Sequence, residues 1–266
     1  MDLGIKGKTA LVSGGDSGIG WHTARQLLAE GVTVVITDQY QDKLDAAAEQ
    51  LNAKPNQLYA FTADITSVDS ITTLRDRVLD AVGDIDISVQ SAGITGAQGL
   101  FHELTDEGWM ETLLVDLMGP VRLVSAFLPS LRKDDWGRLV FVASEDGVQP
   151  YDDELPYCSA KAGVLALAKG LSRSYALEGL LVNCVSPAFI HTPMTDAMMK
   201  KRAHKLGISI PDAITTFLDE KRPSIELKRR GTPDEVASVV AFLCSDLASF
   251  VNGANYRVDS GSVATI

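Results

Sequence analysis

Only three of the 266 residues are cysteines, Cys158, Cys184 and Cys244, and no CxxC pair or Cys/His ligand spacing connects them. A disulfide scaffold and a structural zinc site are therefore not expected, and buried free thiols in a reducing compartment fit the pattern. Basic residues are also scarce, with 24 Lys and Arg against 35 Asp and Glu for a net charge of -11. Because affinity for nucleic acid and anionic membrane comes largely from cations, neither is expected as a partner. The longest uncharged stretches, 87–101 and 179–195, are broken by polar residues, Gly or Pro and fall short of the roughly 20 apolar residues that span a bilayer. The opening MDLGIKGKTALVSGG has an acid at position 2 and no apolar core before a cleavage site, so no secretory signal is expected and the cytoplasm is the expected location. His22, His102, His191 and His204 are scattered without carboxylates at ligand spacing, so no catalytic metal is expected.

What is present is ordinary for a globular chain: 45% apolar residues, 22% charged residues and 22 glycines. Short β-branched runs read as strands at 9–13, 32–37, 58–63, 85–89, 139–143, 181–185 and 255–258. Longer amphipathic stretches between them read as helices at 19–30, 42–52, 68–82, 107–131, 157–178 and 233–244, several introduced by Asp, Ser, Thr or Pro. Strands alternating with helices predict parallel βαβ units, hence a doubly wound α/β sheet covered on both faces. With no repeat and no linker, one domain over 1–266 is expected, and its one long irregular region is 187–230.

After the first strand comes Ser13-Gly14-Gly15-Asp16-Ser17-Gly18-Ile19-Gly20. Gly14 permits a tight turn, Gly18 lets backbone approach a pyrophosphate, and Gly20 allows close packing of helix on strand, while the helix N-terminus offers free N–H groups. Such a loop is common in α/β proteins; Asp38, ending the second strand 18 residues past Gly20, makes it informative. A carboxylate there accepts both ribose hydroxyls and repels a 2′-phosphate. No Lys or Arg lies in the loop or directly after Asp38, where Gln39 and Tyr40 follow, so NAD(H) is expected over NADP(H). Asp64 and Ile65 end the third strand, where they can contact adenine; Asp64 is equally readable as a helix cap.

Tyr157 and Lys161 stand four apart at the start of a predicted helix and so share a face. A lysine ammonium beside a phenol stabilises the phenolate, which a free tyrosine reaches only near pH 10. Ser144, 13 residues before Tyr157, ends the fifth strand on the edge where ligands bind such sheets.

With these residues in place, the chain resembles the short-chain dehydrogenase/reductase family over essentially its whole length. The resemblance rests on Ser13 to Gly20, Asp38, Asp64, Ser91-Ala92-Gly93, Ser144, Tyr157 to Lys161, Asn183 to Pro187 with Thr192, and Gly253 to Gly261. It implies a single Rossmann-type domain with about seven strands, a nicotinamide cofactor, and a homotetramer or homodimer. By the same resemblance Tyr157 is the general acid/base, Ser144 positions the substrate oxygen, and Lys161 supports Tyr157 and the nicotinamide ribose. Ala92, Gly93, Pro187, Ile190 and Thr192 would border the cofactor, and 187–230 would be a substrate lid.

The chain departs from the family pattern at Gln90-Ser91, Ala188 and Ser260, and above all at Asp116, where the family's catalytic Asn is usual. A carboxylate near Lys161 would partly cancel the ammonium charge and raise the Tyr157 pKa. In the other reading only the Asp116 backbone carbonyl matters. Phe189, Met194, Met198, Met199, Ile208 and Ile210 offer either an apolar substrate surface or ordinary core. Lys200-Lys201-Arg202 and His204-Lys205, with Arg132 and Arg173, are solvated charges or partners for an acidic substrate or carrier. The expected activity is NAD(H)-dependent interconversion of a secondary alcohol and a ketone. The alternatives are a 3-oxoacyl-thioester reductase and a cofactor-binding protein with little turnover.

Overall fold

Seven short runs, the central ones rich in Val, Ile, Leu and Phe, form the strands of one sheet in the computed structural model, which describes residues 2–265. They are β1 (Thr9–Ser13), β2 (Thr33–Asp38), β3 (Leu58–Thr62), β4 (Ile87–Gln90), β5 (Gly137–Val142), β6 (Leu180–Pro187) and β7 (Asn255–Val258). Every neighbouring pair is parallel, in the order β3-β2-β1-β4-β5-β6-β7. The order reverses between β1 and β4, which opens a crevice at their carboxyl ends.

Side chains alternate between the two faces. Ala10, Val12, Val34 and Ile36 pack beneath α1 (Gly18–Ala29), α2 (Gln41–Leu51) and α9 (Pro233–Leu243) through Leu27, Leu44 and Val240. Leu11, Val35, Leu139 and Phe141 face the other way, onto α3 (Val68–Val82), α5 (Gly119–Leu131) and α6 (Leu155–Tyr175) through Leu74, Phe127 and Val164. Fully burying each such side chain contributes about 1.5–3 kcal/mol. Central strands covered on both faces explain why the sequence shows apolar runs more than strict alternation.

Two expectations are corrected. The helix expected over 107–131 is divided into α4 (Asp106–Leu113), a wider π-type turn at Leu114–Met118, and α5. Pro120 has no N–H to donate to the Asp116 carbonyl one turn back, and the Gly119 N–H bonds instead to the Leu114 carbonyl. By length and composition alone, the stretch Asp106–Leu131 is long and apolar enough to cross a membrane, where the sequence reading expects no such segment. Its Leu123, Val124, Phe127 and Leu131 pack in the core.

The region after β6, expected to be irregular, contains α7 (Pro193–Leu206) and α8 (Ile210–Glu220). Thr192 caps α7 by accepting from the Thr195 N–H, and Ser209 caps α8 by accepting from the Asp212 N–H, each followed by Pro in the first turn. Phe189, Met199, Phe217, Leu218 and Ile225 close a small core of their own under these helices.

Candidate active site

The nucleotide end is made by backbone. Gly14 has φ +68°, and a Cβ on it would lie 2.7 Å from the Ala92 nitrogen; a Cβ on Gly20 would lie 2.1 Å from the Gly14 carbonyl oxygen. The loop can therefore close against β4 and start α1 only without side chains at these positions. Ser17 precedes α1 without capping it, and the first turn carries no acidic side chain, so the N–H groups there remain available to an anion. This cradle fits the pyrophosphate of a dinucleotide.

Asp38 ends β2, and its Oδ1 accepts from the Gln39 N–H at 2.6 Å. Burial raises its pKa, and the Asp16 carboxylate adds to the rise. Two carboxyls thus converge where a ribose would sit. Lys43, not singled out in the sequence, also acts on Asp38 and lies 4.7 Å from the Tyr40 ring centre. Beyond Asp38 a cleft of about 590 Å³ is lined by Tyr40, Asp64, Ile65 and Val115. The Asp64 carboxylate serves its own turn, accepting from the Thr66 N–H at 2.8 Å and the Thr66 hydroxyl at 2.6 Å. Ser67, not Asp64, caps α3.

Ser144, Tyr157 and Lys161 line one cavity of about 210 Å³ together with Gly14, Gly18, Asp38, Pro187 and Thr192. Asp16, Ser17, Ile19, Ala92, Gly93 and Ile190 line it too, whereas Gly20 and Asp116 do not. The Lys161 ammonium lies 5.4 Å from the Tyr157 ring centre and donates to the Val142 carbonyl at 3.2 Å. Asp116 is fully buried, its Oδ1 3.7 Å from Lys161 Nζ and accepting from the Ile94 N–H at 3.2 Å. Its Oδ2 has no partner among the described residues. Gly93 leaves room for this carboxyl, since a Cβ there would come within 2.5 Å of Oδ1.

Burial pushes the Asp116 carboxyl up to about 6 against the pull of Lys161. The Tyr157 phenol is raised well above its ordinary value, first by burial and then by Asp146 and Asp116, while Ser144 acts the other way. The Asp116 carboxyl thus stands beside Lys161. At neutral pH such a phenol holds its proton and can donate it.

Bordered by the same Ser144 and Tyr157, a smaller cavity of about 80 Å³ is lined by four charged residues, Glu145, Asp146, Glu154 and Arg222, and by Phe189, Met194, Met198 and Phe217; the Arg222 guanidinium lies 5.2 Å from the Phe217 ring centre. None of the four charged residues stood out in the sequence. Glu145, Asp146 and Glu154 flank the Ser144 and Tyr157 motifs without spacing that signals burial, and Arg222 arrives from about 70 residues away. Of the apolar residues expected here, Met199 belongs to the core under α7 and α8, and Ile210 is 42% exposed. Arg202 pairs with Glu220 at 2.6 Å, while Lys200, Lys201, His204 and Lys205 are exposed, and Arg132 pairs with Glu178. No group of three or more metal-ligating side chains occurs among the described residues.

The profile of the family described as enoyl-(acyl carrier protein) reductase matches residues 14–263. The chain is 33% identical over 262 residues to a 3-oxoacyl-[acyl-carrier-protein] reductase of Aquifex aeolicus, covering 98% of this chain and 99% of that one. Among solved structures it is similar to L-sorbose reductase from Gluconobacter frateurii complexed with NADPH and L-sorbose, with a TM-score of 0.93, 30% identity and full coverage of both chains. It is also similar to an actinorhodin polyketide ketoreductase with NADPH, with a TM-score of 0.90, 29% identity and coverage of 97% and 98%.

Proposed function

The chain belongs to the short-chain dehydrogenase/reductase family of oxidoreductases, and on that premise we propose that it interconverts a ketone and a secondary alcohol with NAD(H), working mainly as a reductase. The observation that carries this reading is the half-buried Tyr157, which lines, with Ser144 and Lys161, the cavity that also contains the glycine cradle, and whose phenol pKa is raised. The nicotinamide cofactor supplies hydride. Tyr157 donates its hydroxyl proton to the substrate oxygen, Ser144 hydrogen-bonds that oxygen, and Lys161, tethered by the Val142 carbonyl, keeps a cation beside the phenol. Asp116 tempers that cation from behind, so the phenol gives up its proton only to a strong acceptor such as the developing alkoxide. The residues proposed to hold the cofactor are Gly14, Asp16, Ser17, Gly18, Ile19 and Gly20 at the pyrophosphate, and Asp38, Asp64, Ile65 and Ala92 at the adenosine. Gly93, Pro187, Ile190 and Thr192 complete the proposed set at the nicotinamide side.

The preference for NAD(H) rests on Asp38 with Asp16 near the ribose position and is this chain's own signal, since two solved relatives contain NADPH. The second reading, a 3-oxoacyl-thioester reductase, is favoured by the Aquifex relative and by the exposed Lys200, Lys201 and Lys205. We also propose one domain with 187–230 as substrate lid, a cytoplasmic location, a small-molecule substrate without nucleic-acid or membrane partners, and a homotetramer. Met110, Met118 and Phe101, exposed along and before α4 and α5, support assembly. Initial rates with a panel of ketones and acyl thioesters, each with NADH and NADPH, test the function; selective use of thioesters with NADPH favours the second reading. No turnover with any substrate leaves a cofactor-binding protein, and a monomer mass at micromolar concentration removes the tetramer.

A further inference from the structure

One guanidinium joins the two chain segments that carry Ser144 and Tyr157. Ser144 opens a short turn, Glu145–Gly147, and its hydroxyl accepts from the Asp146 N–H at 3.2 Å. Glu154 stands just before α6, three positions ahead of Tyr157, and its carbonyl accepts from the Cys158 N–H at 3.0 Å. Arg222, which follows α8, reaches both. Its Nε lies 3.5 Å from Glu145 Oε1, one terminal nitrogen donates to Glu154 Oε2 at 3.0 Å, and the other donates to the Lys221 carbonyl at 3.1 Å. Its face lies on Tyr151, 3.4 Å from the ring centre, and the Tyr151 hydroxyl donates to Glu145 Oε1 at 3.3 Å. The acids are engaged within the protein as well: the Ser262 hydroxyl lies at the Glu145 carboxylate, Asp146 bonds to Glu154, and Glu154 Oε1 accepts from Gln98 at 3.0 Å.

Such a cluster is a poor source of stability. The Arg222 and Glu145 side chains are 8% and 2% exposed, and burying charges costs so much desolvation that well-packed apolar residues do as well or better. What a fork of fixed N–H directions stacked on a ring does supply is geometry. The turn it holds is also tight against the helix, since a Cβ on Gly147 would come within 2.9 Å of the Lys161 carbonyl carbon. A shift of Glu145 or Glu154 is therefore passed on to Ser144 and Tyr157, which border one cavity with Lys161.

We propose that Arg222 is a positioning residue for the proton-transfer site: it braces the turn after Ser144 against the start of α6 and so sets the spacing of the Ser144 and Tyr157 hydroxyls. The proposal rests on the oxidoreductase reading above and adds to it a residue that acts through its neighbours.

The test uses Arg222→Met, which removes the fork and the charge, and Arg222→Lys, which keeps the charge alone. The substrate is the ketone or acyl thioester of the panel above that the wild type reduces fastest. Displacing catalytic groups by about an ångström costs on the order of 100-fold, so Arg222→Met should lower kcat by about 100-fold and Arg222→Lys by about tenfold. NADH affinity, read by fluorescence titration, should stay within about twofold of wild type, because the glycine cradle is made by other residues. The isotope effect on kcat with NADH deuterated at the transferred position should rise in both variants, since a misplaced proton donor makes chemistry the slow step. Arg222→Met combined with Glu145→Gln and Glu154→Gln should lose about tenfold less than the product of the separate losses, because all three break one brace. Hydrogen exchange reads the brace directly: Arg222→Met should lose protection at 144–149 and 154–158 while 13–20 keeps its own. Arg222→Lys carries the test if Arg222→Met does not fold. An unchanged kcat in a folded variant, NADH affinity that falls as far as kcat, or unchanged exchange at both segments overturns the positioning role and leaves the oxidoreductase reading intact. Absence of turnover by the wild type across the whole panel overturns both.

Discussion

The glycine loop and the charged residues beyond Ser144 present polar groups to neighbouring cavities by opposite means. The loop uses backbone: residues 13–20 lie consecutively in the chain, and their conformation is enforced by two Cβ atoms that are not there. The charged residues supply side chains from the turn after β5, the position just before α6 and the segment after α8, with Glu145 and Arg222 meeting at 3.5 Å across 77 positions of sequence. A backbone site tolerates almost any surroundings but few substitutions within itself. A side-chain site can be retuned one residue at a time, which is what a family sharing one cofactor chemistry among many substrates needs.

The largest effect separating the two regions is expected where they meet. Tyr157→Phe should lower kcat by at least about 100-fold while NADH affinity stays near wild type, since it removes the proton and keeps the ring. Fluorescence titration and steady-state rates check both halves, and retained activity would remove Tyr157 from its role. Within the loop, Gly20→Ala should cost about 1–3 kcal/mol of stability, because the new methyl would have to displace the Gly14 carbonyl. Gly207→Ala, at the end of α7 with φ +66° and open space around it, should cost about 1 kcal/mol, the strain of a left-handed backbone without a clash. Thermal denaturation of the two variants compares loop with lid, and equal losses would break the contrast.

Asp38→Ala combined with Gln39→Arg should raise the NADPH to NADH ratio of kcat/KM by about tenfold. A wild type that already prefers NADPH would sink the role given to Asp38. The smallest expected effect is a shift in pH dependence. Asp116 is ionised above about 6 and then raises the Tyr157 pKa, so Asp116→Asn should move the kinetic pKa of alcohol oxidation downward, toward easier phenolate formation. Superimposable pH–rate profiles of wild type and variant would assign Asp116 to backbone alone.

Much of the nucleotide end was readable because its signals are local. Gly14, Gly20 and Asp38 occupy a strand end, a turn and a helix start, and each is constrained by its immediate neighbours in sequence. Tyr157 and Lys161 were readable for the same reason, one helical turn apart. Pro120 is the one local sign of the wide turn at Asp116, and the continuous apolar period around it masks that sign. The helices α7 and α8 carry clear caps at Thr192 and Ser209, but a run dense in Met, Lys and Thr gave them a weak apolar face. The buried Glu145–Arg222 pairing had no local signature, because charged residues are ordinarily solvated and nothing in the spacing marks the few that are not.

The contact between Gly18 and the start of α7 bears on the timing of the catalytic cycle. A Cβ on Gly18 would stand only 3.3 Å from the Thr192 methyl and 3.9 Å from Pro193, so the first turn of the proposed lid is laid directly against the loop proposed to cradle phosphates. A dinucleotide seated on that loop as proposed would lie beneath this turn, and the same turn, through Met194 and Thr195, also borders the smaller cavity. Exchange of either molecule is then expected to require one and the same turn to lift. On the proposed reading the two exchanges share a gate, whose opening is expected to set the pace of turnover once chemistry is fast.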